Sequence, residues 1–413
     1  MSGQANGQAN HDGSGLPGAP WNAAGAADYR VVGVRAVLPD TLLPDATVVV
    51  RGGRIAAVHR GRVPGPAGPV LDGNGALLLP GLVDVHTDGL EGALSPRAGA
   101  AMPQDFALAD FESRLTAAGI TTAFHAIGFR SQTAHGAPRE PGLATRLNAL
   151  VRGGGSGRVE HRVLHRLEVT SESGREELAS VLDTVPALPA LISLEDHTPG
   201  QGQYRDPGVL VQYIMKTDGV DRESAARRVE DLARAGREKL PFKEHTYDWC
   251  LEMARQGRSR LMLHDADTAA VVDRFADRGG IVAEFPTTLA AARRARERGM
   301  LVVAGAPNLV RGGSHSGNVS AAELLAHGCV DALASDYLPG ALLAAAAVLV
   351  RSGRSWPEAT ALVSAGPARV AGLHDRGELR PGLRADLILI DDSAGSWPIL
   401  RWFSRAVDQR SHL

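Results

Sequence analysis

Cysteine is nearly missing from this chain: Cys250 and Cys329 are the only two among 413 residues. They form neither a disulfide framework nor a metal motif, and read as buried structural thiols of a protein from a reducing cytoplasm. Net charge is almost absent as well. A formal charge of −2 offers no field to nucleic acid or to an acidic membrane. Long apolar runs are lacking too. The longest candidate, residues 341–350, is about half of the ~20 residues that a bilayer-spanning helix needs. Residues 1–27 have neither a basic start nor an apolar stretch, which argues against a signal peptide; rich in Gly, Ala, Asn and Gln, they read as a disordered tail.

What is present suits a large folded enzyme, with 44% hydrophobic and 22% charged residues. Residues 28–63 alternate as short Val-rich strands around an exposed Gly52-Gly53, a hairpin signal. The apolar run 387–390, after turn residues, has the same look. A small β-sandwich domain built from residues 28–80 and 375–413 would follow. Between them, residues 81–374 alternate apolar strands with helical stretches. Strands are expected at 82–86, 120–126, 161–168, 191–196, 261–264, 281–285, 301–304 and 332–335, with helices at 288–298, 320–327 and 341–351. That alternation predicts an α/β fold, a (β/α)8 TIM barrel. The stretch 200–258 is too long for a plain connection and reads as a lid or substrate loop with a charged helix over 221–237.

Chemistry in such a barrel sits at the carboxyl ends of the strands. The segment LLLPGLVDVHTDGLE, residues 77–91, ends its strand in His86 and Asp88. Residues two apart on a strand share a face, so imidazole and carboxylate converge. Glu168 ends strand three, Asp196 and His197 strand four, His264 and Asp265 strand five, and Asp336 strand eight. Such a ring of N and O donors suits divalent transition metals.

These residues stand within strings that are similar to the amidohydrolase superfamily: LLLPGLVDVHTD, AGITTAFHAI, EHRVLHRLE, LISLEDHTPGQ, AEFPTTLAAA, GAPNLVRGGSHSGNVSAAEL and LASDYLPGALLAAA. Within it the chain resembles the branch serving the carbon–phosphorus lyase pathway of phosphonate metabolism. The superfamily more often has H-x-H where this chain has His86-Thr87-Asp88. The resemblance implies a small β-domain beside the barrel. It also implies hydrolysis of α-D-ribose 1-alkylphosphonate 5-triphosphate to the 5-phosphate and diphosphate, in the cytoplasm.

Position by position, the expectation is two divalent metal ions, zinc or manganese. His86, Asp88 and Asp336 would serve one, His197 and His264 the other, with Glu168 as the bridging carboxylate. Asp336 is also the candidate proton acceptor, and His315 the candidate donor to the leaving diphosphate. The stretch NLVRGGSHSGN offers Arg311, Gly312, Gly313, Ser314, Ser316 and Asn318 to a polyphosphate. It lacks the G-K-[ST] ending of a Walker loop. Arg97 and Lys243 are weaker phosphate candidates, Asp265 and Asp267 could orient His264, and Glu284 could hold substrate hydroxyls. His125, His161 and His165 read as structural. The partner expected is a small phosphorylated sugar, not nucleic acid or membrane, with a homo-oligomer conceivable. Competing readings are a C–N hydrolase of the same superfamily and a catalytically silent barrel scaffold.

Overall fold

The computed structural model describes residues 28–64, 68–97, 99–132, 139–184, 189–314, 317–392 and 399–403. The expected tail at 1–27, and with it His315 and Ser316, lies outside them. Among the described residues no helix is long and apolar enough to cross a membrane.

Both chain ends meet in one mixed sheet, the form taken here by the expected β-sandwich. It holds β1 (Tyr29–Val37), β2 (Leu42–Arg51), β3 (Arg54–Arg60), β4 (Val70–Asp72), β5 (Leu77–Pro80), and, after the barrel strands, β14 (Leu387–Ile390) and β15 (Ile399–Phe403). Gly52 and Gly53, at φ 55° and 70°, make the tight β2–β3 turn, a conformation that favours glycine. Val31, Val34, Val48, Val50, Leu78 and Leu387 fill this sheet's own core.

Eight parallel strands follow in one sheet, in sequence order: β6 (Leu82–Thr87), β7 (Ile120–Phe129), β8 (Glu160–Glu168), β9 (Ala190–Glu195), β10 (Ser259–His264), β11 (Val282–Glu284), β12 (Leu301–Gly305) and β13 (Ala332–Ala334). The strand count therefore stands as expected. A bridge between Thr87 and Asp336 joins the last strand's end to the first. The backbone bonds Asp88 N to Asp336 O (2.7 Å) and Asp336 N to His86 O (2.9 Å) lie at the same seam. Below it, buried Asp84 accepts from Ser335 N at 3.0 Å and from the Ser335 hydroxyl. Burial pushes its carboxyl up to about 6.

Each strand contributes to one apolar cluster that includes Val83, Phe124, Leu164, Leu191, Met262 and Val303. It fills the barrel interior, as side chains do in small barrels. The alternate residues, such as Leu167, Leu194, Leu261 and Leu263, pack outward with the helices. Strands buried on both faces explain the near-continuous apolar runs in the sequence. Cys250 and Cys329 are buried free thiols.

The helices Leu289–Glu297, Ala321–Ala326 and Ala341–Arg351 match expectation within a residue or two. The first two are capped by the side chains of Thr288 and Ser320. Between β9 and β10 the long insertion forms helices Pro207–Asp218, Arg222–Glu238 and Leu240–Arg255. Tyr204, Leu210, Ile214, Ala225 and Val229 give it a small core of its own.

Candidate active site

Alternation decides which side chains reach the barrel mouth. From barrel-filling Leu164 the same face continues to Arg166 and Glu168; from Leu191 to Ser193 and Glu195; from Met262 to His264; and from Val282 to Glu284. In β6 the pairing slips: Asp84 faces Ala123 but Thr87 faces His125. The extra residue is a bulge, and bulges re-aim side chains. Val85 therefore joins the interior cluster while His86 still turns into the site.

His86 is buried and held at both nitrogens. Nδ1 lies 2.7 Å from Glu284 Oε1, and Nε2 lies 3.4 Å from Asp88 Oδ1. Glu284, fully buried, also accepts from the Ser193 hydroxyl. This fixes the ring so that Nδ1 donates to Glu284 and Nε2 is presented beside Asp88. His264 repeats the pattern, with Asp265 Oδ2 3.0 Å from Nδ1 and Glu195 Oε1 3.8 Å from Nε2. Arg166 then ties the carboxylates together: Nη1 donates to Asp88 Oδ1 at 2.6 Å, and Nε donates to Glu195.

The electrostatics follow from this crowding. Burial alone would lower His86, but the Glu284 and Asp88 carboxylates raise it well above its ordinary value. Burial likewise works against protonated His264, yet Asp265, Glu195 and Glu284 bring it up to about 9. Glu195 is penalised by burial and nevertheless held low by Arg166, His264 and His197. Asp336 is raised by burial, and the Asp88 charge adds to the rise. Asp265, Phe285 and Asp336 all have left-handed backbone, at φ 53°, 50° and 56°. Asp265 and Phe285 directly follow their strands and Asp336 lies two residues past β13; strain gathered at strand ends points to a working site.

His86, Asp88, His264, Asp336 and Arg311 line one cavity of about 300 Å³. Ser314 and Asn318 line it too, whereas Gly312, exposed, and Gly313, half-buried, lie in the turn beside it. Arg311 donates from Nε and Nη2 to Gly313 O at 3.2 and 2.9 Å. Two expected ligands stand elsewhere. Glu168 and His197 pair with each other (Oε2 to Nδ1, 2.6 Å) and line a neighbouring cavity of about 90 Å³. The carboxylate grouped with His86 and His264 is Glu284, not Glu168. Asp196 sits one residue out of phase and holds Lys243 at 2.5 Å, which removes that lysine from the phosphate candidates. Arg97 is exposed and lines neither cavity.

His125, His161 and His165, read as structural, are buried, with His125 Nδ1 and His161 Nε2 lacking a hydrogen-bond partner among the described residues. His125 Nε2 meets His161 Nδ1 at 2.8 Å, and His165 lies 3.1 Å from both Asn148 Nδ2 and Leu191 O. Asp267 accepts from Gly202 N rather than touching His264. The residues not foreseen are Arg166 and Glu195, and Glu284 was foreseen only as a substrate contact. The phase of the interior apolar residues would have found all three.

The donors suit a divalent metal. His86, Asp88 and Asp336 bring ligand atoms within 4.8 Å of one another, and so do His86, His264 and Glu284. Glu195 Oε2 is buried without a hydrogen-bond partner among the described residues. Crowded carboxylates with one oxygen left over fit a cation.

The sequence pattern of the amidohydrolase family matches residues 226–398. The chain belongs to the amidohydrolase family. Within it, the chain is 36% identical over 363 residues to the alpha-D-ribose 1-methylphosphonate 5-triphosphate diphosphatase of Escherichia coli, covering 86% of this chain and 93% of the relative. The imidazolonepropionase of Deinococcus deserti is 27% identical, over 86% of this chain and 87% of that protein. Among solved structures, N-isopropylammelide isopropylaminohydrolase from Burkholderia multivorans superposes with a TM-score of 0.60 at 18% identity, covering 92% of this chain and 97% of that one. That likeness speaks for the fold alone.

Proposed function

We propose that this hydrolase acts on an α-D-ribose 1-alkylphosphonate 5-triphosphate, releasing the 5-phosphate and diphosphate, as a cytoplasmic enzyme of phosphonate breakdown. One observation carries the reading. The cavity that gathers His86, Asp88, His264 and Asp336 is also lined by Arg311, Ser314 and Asn318. A metal-ligand cluster and a polyphosphate grip thus share one chamber. The 36% identity to the E. coli diphosphatase points to the same substrate class.

His86 Nε2, Asp88 and Asp336 would hold one divalent ion, zinc or manganese. His264 Nε2 and the free oxygen of Glu195 would hold a second. Such ions supply Lewis acidity toward phosphoryl oxygens and make water acidic near neutral pH. The chain's own residues do the rest. Glu284 and Asp265 fix the tautomers and directions of His86 and His264. Asp336, whose carboxyl burial raises, takes the proton from attacking water. Arg311 releases Gly313 O and grips the two terminal phosphates, with Ser314 and Asn318 beside it.

The test is a phosphorus NMR time course on metal-loaded protein with α-D-ribose 1-methylphosphonate 5-triphosphate. Diphosphate and the 5-phosphate are the expected products. Stepwise release of single phosphates would overturn the assignment, and no reaction would shift weight to C–N hydrolysis or to a silent scaffold.

A further inference from the structure

The second cavity, of about 90 Å³, lies over strands β7 to β9 on the far side of the Arg166–Glu195 pair from the metal-ligand cluster. Its floor is built by the same alternation as the main site. Phe124 and Ala126 fill the barrel, and two further steps along that face lead through Gly128 to Arg130, just past the strand end.

Arg130 is half-buried and its charge only partly used. Its Nη1 stops 3.8 Å from Glu195 Oε2, beyond hydrogen-bond reach. Its buried Nε has no hydrogen-bond partner among the described residues. A buried N–H left without a partner is costly unless a ligand completes it. Lys239 lines the same cavity, at the junction of the helices Arg222–Glu238 and Leu240–Arg255, and makes no ion pair among the described residues. Of the carboxylates nearby, Glu168 is engaged by His197 and Thr170, and Glu195 Oε1 by Arg166. Cationic donors therefore remain in excess.

The roof is of another kind. Leu232, Ala235 and Gly236 of the helix Arg222–Glu238 close over the cavity. That helix lies so close to the loop after His197 that a Cβ on Gly236 would stand 2.4 Å from Thr198 Cγ2. An anion-binding floor under a small apolar roof matches a group that is charged on one side and alkyl on the other.

We propose that this cavity binds the alkylphosphonate end of the substrate, with Arg130 and Lys239 on its oxygens and Leu232 and Ala235 over its alkyl group. The inference rests on the diphosphatase reading above. With the leaving diphosphate on the Arg311 side, over strands β12 and β13, the sugar's other end must cross the mouth toward β7 to β9. It arrives at the cavity in which the buried Nε of Arg130 has no hydrogen-bond partner among the described residues. Arg130 and Lys239 thereby become specificity residues that read the C1 substituent.

The experiment compares α-D-ribose 1-methylphosphonate 5-triphosphate with D-ribose 5-triphosphate, which lacks the phosphonate. In Arg130→Gln the ratio of kcat/KM for the first over the second should fall about 30- to 100-fold, the scale of a charge-assisted contact. Lys239→Met, on an exposed residue whose loss leaves the barrel intact, should lower the same ratio about tenfold. Arg130→Lys should recover part of the loss. A ratio unchanged in both variants, with the two substrates falling together or not at all, would overturn the proposal. Equilibrium titration with α-D-ribose 1-methylphosphonate 5-phosphate separates the two levels of the reading, because it needs no turnover. If the wild-type protein hydrolyses neither triphosphate, the diphosphatase reading fails. If it hydrolyses both but binds the 5-phosphate no better than Arg130→Gln does, only the subsite fails.

Discussion

Strand β8 carries a buried charge cluster at each end, and the two clusters are finished differently. At its amino end Glu160 takes Arg376 at 2.6 Å, Arg162 at 2.6 Å and Arg384. Arg376 goes on to Thr122 at 2.9 Å and Asp375 at 2.8 Å, and Arg384 to Asp386 at 3.0 Å. At its carboxyl end Arg166 ties Asp88 to Glu195, but Glu195 Oε2 and Arg130 Nε are left over, and Asp88 and Asp336 repel each other. The amino-end network, three arginines sharing Glu160, locks the barrel to the segment returning from the far end of the chain. The carboxyl-end network lines the main cavity and is open to ligands. Both clusters bury charge at cost; the cavity separates site from clamp.

Removing one charge from each rim should set the two clusters apart. Asp336→Asn should lower turnover by about 10²- to 10⁴-fold, the range for a group that moves the proton. Its thermal midpoint should not fall, because a repelled carboxylate has gone; a loss of fold instead would make Asp336 part of the clamp. Glu160→Gln should do the reverse. Leaving two buried arginines without their shared carboxylate should destabilise the protein by about 3–5 kcal/mol. Turnover per folded molecule should hold, as urea unfolding alongside kinetics would reveal. A cost under about 1 kcal/mol would mean that this rim is not a clamp.

The clamp also has a pH signature. Burial opposes the Glu160 charge, but Arg376, Arg162 and Arg384 outweigh it and bring the carboxyl down to about 2 from its ordinary 4.5. With the folded value depressed, the unfolded chain binds more protons between these two, so stability rises with pH across that window. The Glu160 contribution is complete above 4.5 and disappears as pH falls toward 2. Acid unfolding of Glu160→Gln should lack this component. The smallest expected effect is on the loop: Arg311→Ala should raise KM for the triphosphate about tenfold, as one charge-assisted contact would. KM for a short phosphate ester should rise less, and equal rises would separate the loop from the polyphosphate.

The barrel was legible in the sequence because buried parallel strands write themselves as apolar runs, and all eight were found. The site was only partly legible. His86, Asp88, His264 and Asp336 were readable as polar residues at strand ends, and they share one cavity. Arg166 and Glu195 were hidden by phase: in LISLEDHT the eye goes to Asp196 and His197, while alternation from Leu191 puts Glu195 on the inner face. Glu168 is on that face too, yet its nearest partner is His197, a pairing that no strand pattern encodes. The bulge in β6 is a feature of strand pairing that local sequence does not announce.

Anomalous scattering from crystals loaded with zinc or manganese would locate the ions. A peak is expected between His86 Nε2, Asp88 and Asp336, a second beside His264 Nε2 and Glu195, and none at the Glu160 clamp. A peak held between Glu168 and His197, with nothing at His86, would contradict this placement.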